Sequence, residues 1–316
     1  MFYITAASTI SHQPTFQNPG FSNGIGELGN DWTMVNPDFK EHIEPALLRR
    51  MSKILRMSVT CAKDCLRQAG IQQPDSIVVG TGLGCLADTE KFLNNFLTIE
   101  GLLPPTAFIQ STHNTIAGQI SLSLGNHGYN MTHTQNTLSF EHAMLDGMLL
   151  LGENDENVLV GAADEYIGIL DDIGAALKMA PVFLTSGASF FVISNRPENA
   201  LVSIVDVETV RAVSDLAEIV NTFLCRNGLD EAAIDQVLFS DESVFGVPGH
   251  LSSYFPDTVA FVNYPLFSGF YATNSAFALH LAIDKMQSEP GIRHILILNH
   301  LLGSNLGLTL LQSLEA

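Results

Sequence analysis

The sequence predicts an α/β protein whose strands alternate with crossover helices, and two observations carry that reading. Short β-branched runs such as Ser76–Thr81 and His294–Asn299 are separated by segments of helical period, which is the pattern of crossover connections. The same order of elements also occurs twice. Helix 137–151, strand 157–162 and strand 188–194 are followed, further on, by helix 272–286, strand 294–299 and strand 305–311. An internally duplicated fold follows. Its join falls at Asn195–Asn199, where Arg-Pro-Glu-Asn breaks the pattern, so the halves are read as 1–195 and 196–316.

In chain order, Met1–Ile10 reads as a strand, and a loop rich in Gly, Asn and Pro runs to Pro45. An amphipathic helix follows and ends at Gly70. Six of the fourteen basic residues lie between Arg49 and Arg67. At about 100° per residue, Arg49, Lys53, Arg56, Lys63 and Arg67 share one stripe, opposite Met51, Leu55, Val59, Ala62, Cys65, Leu66 and Ala69. The stripe reads as a solvated face or as a contact for an acidic partner. Gly80-Thr81-Gly82-Leu83-Gly84 then turns strand 76–81 into a helix from Leu86. It has neither the GxGxxG spacing nor a Walker lysine, so no cofactor is assigned. A helix over 113–124, a turn at Gly125–Gly128 and a strand over 129–135 complete the first half up to its long helix.

Composition excludes several functions. With 316 residues, 46% of them hydrophobic, the chain is globular. It has no basic leader and no apolar stretch of about 18 residues, so it is expected in the cytoplasm, off the membrane. A formal net charge of −19 disfavours nucleic acid and anionic lipid. Four cysteines without a CxxC pair suggest no disulfide framework and no metal. Cys61 and Cys65 fall on the apolar helix face. Cys85 follows a Gly-rich turn at a helix start, which reads either as an activated thiol or as a small buried residue.

Several stretches together resemble the β-ketoacyl synthase family of thiolase-like proteins. Asn114–Ile120 is similar to the helix before that family's nucleophile, and His127–Thr132 follows at the family's spacing. Arg49–Met51, Gly80–Gly84, Val160–Asp164, Ser268-Gly269 and Asn299–Asn305 fit in the same order, over nearly the whole chain. The resemblance implies a layered α/β/α/β/α fold of two similar βαβαβ halves, shortened between Asp164 and Gly187 and again after Asp241. An active member needs a cysteine at a helix N-terminus, two histidines and a lysine. Here those positions fall on Thr137, Ser240, Phe270 and Pro265. A two-residue slip would instead place Gln135, the residue of related chain-length factors, at the nucleophile position. A threonine hydroxyl without a neighbouring base does not attack a thioester.

The resemblance therefore implies a non-catalytic, chain-length-factor-like subunit that pairs with an active ketosynthase. That complex would work with acyl carrier protein in type II polyketide or fatty-acid-like biosynthesis, aryl polyene pigment among the routes. It further implies dimerisation through the strand at 129–135, with Tyr129, Met131, His133 and Gln135 at the interface. Leu83, Phe108 and Thr112 would lie along an acyl tunnel shared with the partner. The alternatives are an acyltransferase or condensing enzyme built on Thr137, Cys85, or His133 with His142, and a homodimeric acyl binder.

Overall fold

The computed structural model describes residues 1–29, 33–178, 183–213, 215–240, 251, 253–301 and 305–314. Among them run ten strands: β1 (Phe2–Ile10), β2 (Ser76–Gly80), β3 (Tyr129–His133), β4 (Asn157–Asp164), β5 (Gly187–Ser194), β6 (Val202–Arg211), β7 (Gln236–Ser240), β8 (Ala260–Asn263), β9 (His294–Asn299) and β10 (Asn305–Ser313). They form one sheet in the order β3-β2-β4-β5-β1-β6-β10-β9-β7-β8. The order reads the same from both ends. β2 pairs in parallel with β3 and β4, and β4-β5-β1 continue antiparallel. Likewise β7 pairs in parallel with β8 and β9, and β9-β10-β6 continue antiparallel. The two sets meet where Phe2, Tyr3 and Ile4 face Ile204, Ser203 and Val202.

The helices are α1 (Pro45–Leu48), α2 (Lys53–Ala69), α3 (Leu86–Thr98), α4 (Pro105–Gln110), α5 (Thr115–Leu124), α6 (Ser139–Glu153), α7 (Ile169–Ala176), α8 (Leu216–Arg226), α9 (Pro265–Ser268) and α10 (Ser275–Ser288). They sort into layers by the faces they bury. α6 packs on β2 and β4 of its own set and on β6 and β10 of the other, while α10 packs on β9 and also on β1 and β5. These two helices lie between the strand sets, and their apolar residues share one core with Val78, Val160, Phe191, Ile204 and Leu311. A second core joins α2 and α5 to the far side of β1, β2, β4 and β5, and a third joins α8 to β7, β9 and β10. Strands buried on both faces explain the near-continuous apolar runs of β5 and β9. The expected layered α/β arrangement is therefore present.

Some expected boundaries move. The strand over 129–135 ends at His133, and the helix expected from Thr137 begins at Ser139 after a 3₁₀ turn at Asn136–Leu138. The helix expected from His113 begins at Thr115, because Thr112 donates its hydroxyl to Asn114 Oδ1 at 2.7 Å in the preceding turn. The basic stripe is also corrected. Arg49 caps α1, and Ser52 interrupts the chain before α2 starts at Lys53. The remaining cations are engaged rather than uniformly solvated. Arg56 Nε donates to Met51 O at 2.9 Å, Lys63 Nζ to His42 O at 3.0 Å, and Arg67 pairs with Asp64. No helix among the described residues is long and apolar enough to cross a membrane.

Candidate functional site

The C-terminal ends of β7 and β9 and the corner between β3 and α6 converge on one buried spot, where parallel-strand ends normally place a site. At the corner the chain turns sharply: Asn136 has φ +56°, a left-handed conformation that Asn tolerates better than most residues. Thr137 follows, 3% exposed, whereas Gln135 is exposed. Gly80 at the end of β2 makes the corner possible, because a Cβ there would lie 2.5 Å from Ser139 O. Thus Thr137 is buried in the 3₁₀ turn that leads into α6, and Gln135 lies outside it and exposed.

Around Thr137 runs a hydrogen-bonded network. Asn299, closing β9, donates through Nδ2 to Thr137 O at 2.7 Å and to Glu141 Oε1 at 2.8 Å. Ser240, closing β7, donates to Asn299 Oδ1 at 3.4 Å and accepts from Tyr264 Oη at 2.9 Å. Ser240, Tyr264, Asn299 and Glu141 are all buried. Burial raises the Glu141 carboxyl pKa against the hydrogen bond from Asn299, and it also pushes the Tyr264 hydroxyl up. Gly307 on β10 leaves room for the acid: a Cβ there would lie 2.8 Å from Glu141 Cγ. Glu141 and Tyr264 were not singled out by sequence reasoning. The only sequence signal for Glu141 is a carboxylate on the apolar face of α6.

The other expected positions lie nearby. Pro265 is the first residue of α9, buried, where its missing N–H costs no hydrogen bond. Phe270 is half-buried and bridges through its backbone, its N–H donating to Phe183 O at 2.9 Å and its carbonyl accepting from Thr185 N at 3.0 Å. Asp241 and Glu242, which follow Ser240, and residues 302–304 of the C-terminal motif lie outside the described residues. His300 donates its N–H to Ser240 O at 3.2 Å, and its Nε2 is buried without a hydrogen bond.

Next to this spot a second carboxylate ties three segments together. Asp164, at the end of β4, accepts through Oδ1 from Thr81 Oγ1, Gly82 N and Leu83 N, each at 3.0 Å. Its Oδ2 accepts from Thr273 N at 3.1 Å and Thr273 Oγ1 at 2.8 Å. Burial pushes its pKa up, and the bonds from Leu83, Thr273, Gly82 and Thr81 oppose that rise. The Gly80–Gly84 turn is thus an anchor for a carboxylate of this chain.

The remaining candidates do not join this constellation. Cys85 is buried at the start of α3, and burial, then Glu165 and Asp88, push its thiol up, the opposite of activation. Cys61 and Cys65 are core residues. His133 Nε2 pairs with Asp146 Oδ2 at 2.9 Å, and His142 stacks on His133 rather than reaching Thr137. β3 is an edge strand with Tyr129 and Met131 about 40% exposed, and Tyr129 Oη donates to Asp146 Oδ2 at 3.2 Å. Leu83 and Phe108 are exposed as well, Phe108 by 58%, with its ring 5.4 Å from Phe92. A cleft of about 710 Å³ lies elsewhere, between α2, α10 and the loop at 15–20. Its acids are satisfied internally. Asp64 accepts from Gln17, Arg67 and Gln68, and Asp284 accepts from the Gly20 and Ser22 N–H groups. No group of three or more His, Cys, Asp or Glu among the described residues is arranged to hold a metal.

Comparison with known proteins agrees with this geometry. Residues 30–170 match the family model for the β-ketoacyl synthase N-terminal domain. The fold is similar to that of the ishigamide ketosynthase/chain length factor, at TM-score 0.80 and 16% identity, covering 99% of both chains. It is similar to AntDE:AntF, a type II polyketide synthase ketosynthase with its acyl-carrier protein, at TM-score 0.79 and 15% identity over 99% of both chains. It is also similar to the ketosynthase ApeO in complex with its chain length factor ApeC from Xenorhabdus doucetiae, at TM-score 0.76 and 12% identity over 99% of this chain and 98% of that one. No curated protein matches the sequence. Residues 30–170 therefore match the β-ketoacyl synthase N-terminal domain, and the whole chain shares the fold of these ketosynthase structures.

Proposed function

We propose that the chain is a non-catalytic, chain-length-factor-like subunit of a cytoplasmic ketosynthase complex, with 1–195 and 196–316 as its two halves. One observation carries the reading. On our assignment the positions that need a thiol, two imidazoles and a lysine hold Thr137, Ser240, Phe270 and Pro265, and the first two sit in a network of hydroxyl, amide and carboxyl groups. A hydroxyl beside a carboxamide, with no base in hydrogen-bond contact among the described residues, has no route to a thioester adduct.

The partner is an active ketosynthase, the kind of protein named in the ApeO–ApeC and ishigamide structures. The edge of β3 supports this, since its unpaired backbone and the exposed Tyr129 and Met131 need a second strand. His133 and Gln135 continue that edge, and Leu83, Phe108 and Thr112 lie on the tunnel side. A net charge of −19 repels an acidic acyl carrier protein, so the carrier docks on the partner. The pathway is type II polyketide or fatty-acid-like, an aryl polyene pigment route among them. Co-expression with a ketosynthase that carries Cys and two His is expected to give a one-to-one complex that condenses malonyl and acyl carrier substrates, while this chain alone does not. Turnover by the isolated chain that Thr137→Ala abolishes would overturn the reading.

A further inference from the structure

Two carboxylates that belong to neither the Thr137 network nor the Asp164 anchor meet at the N-terminus of α3. Glu165 follows β4, is 3% exposed, and accepts from Ala87 N at 3.0 Å through Oε1. Asp88, in the first turn of α3, is 7% exposed, and its Oδ2 makes no hydrogen bond of normal geometry, nor does the buried Ser52 Oγ beside it. From α2, Lys53 faces Glu165, but it is exposed and turns its Nζ to Ser186 Oγ at 3.4 Å. From α3, the exposed Lys91 faces Asp88, and the buried Cys85 thiol faces both acids. The ring of His113 lies against Gly84, and Asp164 is occupied by its own donors. The site therefore buries two anions beside one partly desolvated cation, Lys53, whose pKa is lowered by burial, and one exposed cation, Lys91. Two buried carboxylates at one helix start, with a single partly desolvated cation facing Glu165, do not both ionise cheaply.

We propose that Asp88 and Glu165 hold one proton as a pair, and that this proton docks the N-terminus of α3, so that the α3–α4 hairpin tightens at lower pH and loosens at higher pH. Ionisation releases that proton to solvent and leaves two buried carboxylates at the start of α3. The hairpin is the element to be moved, because past its first turn it has little else to hold it: Leu93, Phe96, Leu97, Leu102, Phe108 and Ile109 are all more than half exposed. Burial, then Asp88, pushes the Glu165 pKa up to about 7 from its ordinary 4.5, and burial raises Asp88 as well. The sign follows. A carboxyl whose pKa is higher in the docked state stabilises docking fully below the lower value, and that gain is lost as pH rises through the higher one.

Hydrogen exchange of the full chain tests this without a partner or an activity assay. After correction for intrinsic exchange rates, amides 87–98 are expected to be about tenfold better protected at pH 6 than at pH 8.5, with α10 as an unchanged internal reference. Glu165→Gln keeps an acceptor for Ala87 N without a charge, so its protection is expected to stay at the pH 6 level at both pH values. Asp88→Asn is expected to behave the same way. Equal protection of the parent at both pH values overturns the proposal, as does a pH dependence retained by either variant. The parent comparison decides even if neither variant folds.

Discussion

The Asp164 anchor gives the sharpest test of how the two strand sets are held at the site. Asp164→Asn changes no volume, yet it removes one of two acceptor oxygens. If the amide nitrogen takes the place of Oδ2, it faces Thr273 N–H, now 3.1 Å from a donor; the Thr273 hydroxyl can turn to accept, but the backbone N–H cannot. If the nitrogen takes the place of Oδ1, Leu83 N–H loses its acceptor, while Gly82 N–H keeps a longer bond of 3.2 Å. Either orientation leaves at least one buried backbone donor unpaired, which costs about 1 to 3 kcal/mol. The remaining bonds also fall from charged to neutral strength, so the expected loss is about 2 to 4 kcal/mol. Asp164→Ala, which strips every acceptor, should lose more. Urea unfolding of the purified protein measures this, and exchange should rise first at 81–84 and 271–274. A midpoint for Asp164→Asn that corresponds to less than about 0.5 kcal/mol would refute the anchor.

Three further outcomes are expected. Gly80→Ala places a methyl 2.5 Å from Ser139 O, a backbone atom that cannot swing aside, so it should destabilise by at least the 1 to 3 kcal/mol typical of overpacking, about the same in urea or guanidinium; a silent substitution would mean that the corner is loose. His280 hydrogen-bonds Thr9 Oγ1 at 2.8 Å, and burial holds its pKa at about 4 rather than 6.5, so it contributes stability above pH 6.5 that is lost as pH falls through about 4; His280→Gln should lack that component of acid unfolding. In the complex, Phe108→Ala should lengthen the main product while the partner's first condensation is little changed, and mass spectrometry of carrier-bound intermediates with an unaltered length distribution would remove Phe108 as a floor of the tunnel.

What local pattern encodes was legible. β9 was read to the residue, and the repeat of helix, strand and strand anticipated the mirrored strand order, because period and turn residues are properties of neighbours in sequence. The partners of the α2 cations were not. These cations looked like a solvated stripe, but their partners are Met51 and His42 in the preceding loop and Asp64 on the helix itself, and no periodicity records that. The polar network was equally hidden. Asn299 and Glu141 are 158 residues apart and Ser240 and Asn299 are 59 apart, so each looks like an isolated polar residue until the fold joins them. Thr137, Ser240, Phe270 and Pro265 were placed by resemblance, and what surrounds them required coordinates.

The composition of that network bears on why the chain keeps a polar centre around Thr137. Replacing buried polar groups by well-packed apolar ones is often neutral or stabilising, so stability alone does not account for Glu141, Asn299, Ser240 and Tyr264. Their geometry offers another role. Apolar contacts are non-directional and let a helix end slide, whereas Asn299 fixes Thr137 O and Glu141 at 2.7 and 2.8 Å and so sets the start of α6 against the end of β9. The start of α6 is also the end of the β3 corner. β3 has no neighbour beyond β2, so its position relative to the rest of the molecule depends on that pairing and on the corner. A directional network at the corner therefore sets the angle at which the exposed edge of Tyr129–His133 is offered to a partner. Disturbing it, for example with Asn299→Leu, should alter association with the proposed ketosynthase partner more than it alters the stability of the chain.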